Sequence, residues 1–348
     1  MTCAMPAFQA VLAACMLLAT AACGPRQHPA DTVADTAIPP RASTPTLRTN
    51  RGDIPLPPDA RIVDTEHYRI HSTAPTGQAR AVGDSVEALR RAYFELFPEP
   101  ARARQARKRL ELVLYRDRAQ FQRYNRASRW AEAYYRTPRC HAYFDPEAAN
   151  PHHWMLHEAT HQLQREVSGF ARTRWIDEGL ASYLGSSRMV GGELRAGDPD
   201  PDAYPIWHLA RLRLSGNMHD DIAAGRFLPL DQLMTGVGAP PVDGNVNTYY
   251  VNDWSLTHFL LRGDGGRHAA GYRRLVKEGG GLPAFERLIG PLPQVQAAWY
   301  EHLLAQARGQ RLAAARRATA RPAAPLRSVS MGTGRERGGT VDAETDSP

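Results

Sequence analysis

Leu110, Leu112 and Leu114 alternate with Glu111, Val113 and Tyr115. A period of two predicts a strand. Residues 67–71 and 139–145 read as two further strands. Residues 79–97 switch to helical spacing and predict an amphipathic helix ended by Pro98; 119–127 also read as helix. Met155, Leu156, Ala159, Leu163 and Val167 then recur on one helical face. Pro151 suits the first turn of that helix, Asn150 its cap and Gly169 its stop. A second helix follows, with Leu180, Ala181 and Tyr183 as apolar positions. Beyond it the pattern is almost wholly helical, at 204–214, 251–261, 269–277, 282–288 and 294–307. Strands first and helices later predict an α+β fold with a cleft between the two regions. No internal repeat interrupts it.

The helix around Ala159 carries the chemistry. It reads His157-Glu158-Ala159-Thr160-His161. Residues four apart share a helix face, so both imidazoles can reach one ion. Neutral imidazole suits zinc, and a catalytic zinc takes three protein ligands and an open position. Glu158 is the candidate general base for a metal-activated water. The same five residues also fit a solvated surface helix. Trp175-Ile176-Asp177-Glu178-Gly179-Leu180-Ala181 decides against that, because Glu178 on a facing helix completes a His, His, Glu ligand set. A purely structural zinc fits poorly, since such sites are usually closed by four Cys or His.

The two motifs together resemble the gluzincin (peptidase MA-like) zinc metallopeptidases, the superfamily of thermolysin and the zinc aminopeptidases. More narrowly they resemble a bacterial branch of secreted proteins and lipoproteins. The resemblance spans about residues 65–305. It implies a thermolysin-like zincin, a mixed sheet with helices followed by a mainly helical part and an active-site cleft between them. It implies Zn2+ held by His157, His161 and Glu178, with Glu158 as base in peptide-bond hydrolysis. A tyrosine after the third ligand donates to the oxyanion in this superfamily, and Tyr250 fits that role first, Tyr249 second. The strand before the zinc helix borders the cleft in the resembled fold, which makes Tyr143 a candidate substrate contact. Ser182 takes the position of an acid that orients a zinc-bound His in some relatives. The Gly-x-Met-Glu-Asn segment of the aminopeptidases is absent, which favours endopeptidase over exopeptidase activity. A zinc-binding envelope protein without turnover, acting as a binding or assembly factor, is the alternative. His258 sits on an apolar helix and reads as a core histidine.

The ends have another character. An apolar run from about Ala7 to Ala22 closes on Thr20-Ala21-Ala22-Cys23, too short and interrupted for a spanning helix. It reads as a lipoprotein-type signal peptide over 1–23 with Cys23 lipidated, or as a cleaved secretion signal. The expected location is the bacterial cell envelope, lipid-anchored on the periplasmic face or secreted. Residues 24–60 read as a disordered tether, 61–308 as the metallopeptidase domain and 309–348 as a mostly disordered tail whose beginning, 311–320, could extend a helix. Of the four cysteines, Cys140 alone lies outside the leader, where it reads as a small packed side chain.

The formal charge of the 348 residues is +7, carried almost wholly by arginine. Arg102, Arg104, Arg107, Lys108 and Arg109 cluster, as a solvated helix end or as a patch for anionic polymers. No nucleic-acid motif accompanies the charge. Asp198, Asp200 and Asp202 alternate like a calcium loop, but Ala203 and Leu209 replace its Gly and Glu. The expected partners are a peptide or protein substrate and a membrane reached through the lipid, with no nucleic acid.

Overall fold

The computed structural model describes residues 54–98, 100, 108–125 and 131–320. The leader with Cys23, most of the tether, the tail beyond Ala320 and Arg102, Arg104 and Arg107 lie outside the described residues. The architecture is α+β. A five-stranded sheet is ordered β1-β2-β3-β5-β4. Its strands are β1 (Arg61–Asp64), β2 (Tyr68–Ser72), β3 (Leu110–Tyr115), β4 (Ala133–Arg136) and β5 (Arg139–Tyr143). β2, β3 and β5 run parallel, and β1 and β4 are antiparallel edges.

Helix α1 (Thr76–Leu96) joins β2 to β3 and buries Ala79, Val82, Val86, Leu89 and Tyr93 at helical spacing. The short α2 (Arg118–Tyr124) starts at Asp117, whose carboxylate accepts from the Gln120 N–H. Then comes α3 (His153–Gln162), extended by a π-helical turn over Leu163–Ser168, and α4 (Arg174–Gly185). The remaining helices are α5 (Ile206–Arg211), α6 (Met218–Ala223), α7 (Leu230–Thr235), α8 (Val246–Arg262), α9 (Ala269–Lys277), α10 (Leu282–Leu288) and α11 (Leu292–Ala320).

One hydrophobic core runs from Ile70 and Leu112 in the sheet through Leu156 and Leu180 to Trp254 and Trp299. Val113, Tyr115 and Phe121 form a small second cluster. β3 is therefore covered on both faces, which its alternating pattern alone did not require.

Four expectations are corrected. The segment after α4 is not wholly helical: β6 (Ser187–Val190) and β7 (Glu193–Pro199) form a hairpin. Its turn, Gly191 and Gly192, holds φ of 60° and 80°, the conformation a tight hairpin needs and glycine supplies. The tether does not extend to residue 60, since Pro57 is buried and Leu56 packs on the small cluster. The boundary at 308 moves, because α11 continues without a break to Ala320, through the stretch at 311–320 that the sequence allowed as helix. The Tyr249-Tyr250 pair lies inside α8, which starts at Val246 rather than at 251.

Candidate metal centre and its cleft

The chemistry-bearing residues sit on three packed helices. α3 supplies His157, Glu158 and His161, α4 supplies Glu178, and α8 supplies Tyr250. Asn150, the expected cap, steers the entry to α3 from two residues before the observed one. Its Oδ1 accepts the His152 and His153 N–H groups at 3.2 and 3.1 Å, while His152 is the residue at the cap. Gln162 ties α3 to the sheet by donating to the Glu111 and Pro138 carbonyls. Gly169, at φ 69°, ends the turn that follows.

α4 lies between α3 and α8, and two glycines allow the approach. A Cβ on Gly185 would stand 3.0 Å from His157 N and Cα; one on Gly179 would stand 2.8 Å from the Asp253 carbonyl. The Arg174–Asp253 ion pair, at 2.9 Å, links the first turn of α4 to α8. Asp253 is fully buried there, and burial raises its carboxyl well above the usual range against the pull of Arg174.

His157 Nε2 lies 3.2 Å from His161 Nε2 and 3.3 Å from Glu178 Oε2, and His161 Nε2 lies 3.7 Å from that oxygen. A four-coordinate cation bound at about 2.0–2.2 Å spaces its ligands roughly 3.3–3.6 Å apart. The observed edges, 3.2, 3.3 and 3.7 Å, are close to that size. Glu178 Oε2 is buried without a hydrogen-bond partner, a costly state that a cation relieves. The three groups can hold a metal ion. Burial alone would raise the Glu178 carboxyl, but His161 and His157 hold it well below the usual carboxylate range.

Glu158 is 8 % exposed beside this trio. Burial pushes its carboxyl up to about 7, with His157 opposing, Glu178 reinforcing and the Tyr135 backbone N–H opposing. The Tyr250 ring stacks on His157 at 6.0 Å between centroids. Burial, then the Glu178 and Glu158 charges, push its phenol far up, so it stays protonated and able to donate. Tyr249 is committed elsewhere. Its hydroxyl donates to the Pro240 carbonyl at 2.6 Å, and its ring lies under Arg174.

Two expected site residues are not where the resemblance put them. Ser182 is buried and its Oγ has no partner, so it accepts no imidazole N–H. Tyr143 donates to Glu132 and packs on Phe121, away from the cleft lining. The reason is sheet order: β5 is internal, and β4 forms the edge that lines the cleft with Ala133, Tyr134, Tyr135 and Arg136. The Tyr-Tyr pair running into Thr137-Pro138 carries the strand and turn signal for this edge.

His258 is core-packed, with Nδ1 3.0 Å from His302 and Nε2 3.2 Å from the Gly197 carbonyl. Cys140 is buried with Sγ 3.6 Å from Gln162 Oε1. Asp198 ends in β7. Asp200 accepts from Asn150 and from the Asp202 N–H.

The cleft has a volume of about 1330 Å3. His157, Glu158, His161, Glu178 and Tyr250 line it together with Ile54, Pro55, Pro58 and Asp59 from the start of the described chain. Residues 54–59 carry no periodic pattern, and their place on the cleft wall had no signal in the sequence. A family model described as "Protein of unknown function (DUF1570)" matches residues 153–278. That stretch carries both histidines, Glu158, Glu178 and Tyr250. No curated protein matches the chain.

Proposed function

We propose that this chain is a zinc-dependent peptidase, acting as an endopeptidase. The observation that carries the reading is the triangle of His157 Nε2, His161 Nε2 and Glu178 Oε2 on the cleft wall. Two imidazoles and one carboxylate are a donor set suited to catalytic zinc, with a position left open. When bound, zinc would supply Lewis acidity to the carbonyl and acidify the attacking water.

The chain's own residues divide the remaining work. Glu158, next to a ligand and almost closed to solvent, accepts a proton from the water and delivers it to the leaving amine nitrogen. The Tyr250 phenol donates a hydrogen bond to the oxygen that becomes negative as the carbonyl is attacked. β4 lies at the sheet edge beside the trio, so an extended peptide can add to it through backbone hydrogen bonds. An edge of this kind receives the middle of a chain as readily as its end, which supports the endopeptidase reading.

Glu158→Gln tests it. The variant is expected to bind zinc as the unsubstituted chain does and to lose about 10²–10⁴-fold in peptide hydrolysis. Undiminished hydrolysis in a metal-verified variant would remove Glu158 from the reaction. Zinc-loaded chain that cuts nothing in a diverse peptide library would turn the reading into one of binding without turnover.

A further inference from the structure

Arginines line both sides of the cleft. Arg116, Arg123 and Arg136 come from the sheet side, and Arg165 and Arg172 from the stretch joining α3 to α4. Apart from Glu158 and Glu178, the acids in the lining are Asp59 and Asp177. Arg165 is paired with Asp177. Arg116 lies 3.4 Å from Asp117 and 3.9 Å from Asp59. Arg123 and Arg172 are exposed and make no ion pair among the described residues. Both line the metal centre's cleft, Arg123 from α2 and Arg172 from the stretch before α4. A divalent ion would balance the Glu158 and Glu178 charges, so the arginines set the sign of the remaining field. A concave surface concentrates such a field, and guanidinium groups engage carboxylates through paired N–H donors.

We propose that this cleft selects acidic peptides, with Asp or Glu side chains engaged by Arg123 on the sheet side and Arg172 on the helical side. For the cleavage of such peptides the inference rests on the peptidase reading. The binding preference stands on the charge of the cleft alone.

The test uses the full chain carrying Glu158→Gln, zinc-loaded. Three labelled peptides of equal length, acidic, neutral and basic, are titrated by fluorescence anisotropy, each with a free and with an amidated C-terminus. The acidic peptide is expected to bind at least about tenfold more tightly than the neutral one, with the gap closing as salt rises. Adding Arg123→Glu and Arg172→Glu should reverse the preference. Arg123→Gln with Arg172→Gln, which cannot repel an acid, should abolish it. Equal binding of acidic and neutral peptides overturns the proposal, as does a charge-reversed variant that weakens both alike. Binding lost on amidation alone also overturns it, since the site would then read a chain terminus. Turnover by the unsubstituted chain separates the two ideas. An acidic binding preference without any cleavage sinks the peptidase reading and sustains this one. Cleavage of all three peptides alike, with no acidic preference in binding, does the opposite.

Discussion

Tyr249 and Tyr250 are neighbours with different commitments, and the difference is a matter of helix rotation. Tyr250 faces the imidazole of His157, whereas the Tyr249 hydroxyl is held by Pro240. Tyr250→Phe is therefore expected to lower kcat by about 10²-fold with little change in KM, the pattern of a donor used in the transition state. Tyr249→Phe should leave kcat within about twofold and cost about 1 kcal/mol of stability. Steady-state kinetics and thermal melts check both, and equal kinetic damage from the two would refute the assignment. At this scale His157, Glu158, His161 and Glu178 were legible in the sequence, because the two histidines repeat at one helical turn with Glu158 between them and Glu178 opens an apolar helix that follows. The choice between the tyrosines was not, since it depends on how α8 is rotated against α3. Nor was the isolation of Ser182, which depends on what surrounds a fully buried hydroxyl. The anchoring of α3 by Gln162 needs a partner some fifty residues away in sequence, Glu111, and no local pattern announces it.

α4 is the element that sets the spacing of the centre. It carries Glu178, and its Gly185 and Gly179 allow close contact with α3 and α8 respectively. Gly185→Ala would drive a methyl group against the His157 backbone. The expected result is a loss of about 1–3 kcal/mol in stability, together with weaker zinc binding. Gly77→Ala in α1, where nothing lies within 4 Å, is the benign comparison. Calorimetry and competition with a metal chelator read the two effects, and a Gly185→Ala chain matching the unsubstituted one in both would contradict this account. α1 could be read from residue pattern because it buries a regular face, and β3, α3 and most of α8 because their apolar residues recur at strand or helix spacing although they are covered on more than one side. β4 escaped because three half-buried residues and one exposed residue carry little periodicity. The β6–β7 hairpin escaped because its strands are largely solvated, leaving Gly191-Gly192 as its one clear mark.

Across the whole molecule, the α+β class follows from the order of patterns, but the strand order and the position of residues 54–59 are long-range outcomes. Long-range packing also buries His141, which the sequence leaves unassigned, and His258, which reads there as a core histidine. His141 is 2 % exposed, and burial, followed by Arg139 and Arg136, lowers its pKa to about 3. Burial and His302 lower His258 to about 4. Both values lie below that of an unfolded histidine, so the unfolded chain takes up protons first. The contribution of each is full above about pH 6.5 and is lost as pH falls toward 4. At pH 5 each represents on the order of 2 kcal/mol. Chelator-treated protein should thus unfold at lower urea at pH 5 than at pH 7, and His141→Gln should reduce that difference. Superimposable pH profiles for the two chains would show that His141 is not the cause. The edge formed by β4 has one more consequence. A bare strand edge invites a twin as well as a guest, and proteins suppress the first with like charge along the seam. Arg136 ends β4 and puts a positive charge on that seam, so on the proposed reading the charge that would draw an anionic peptide also opposes the pairing of two copies of this chain.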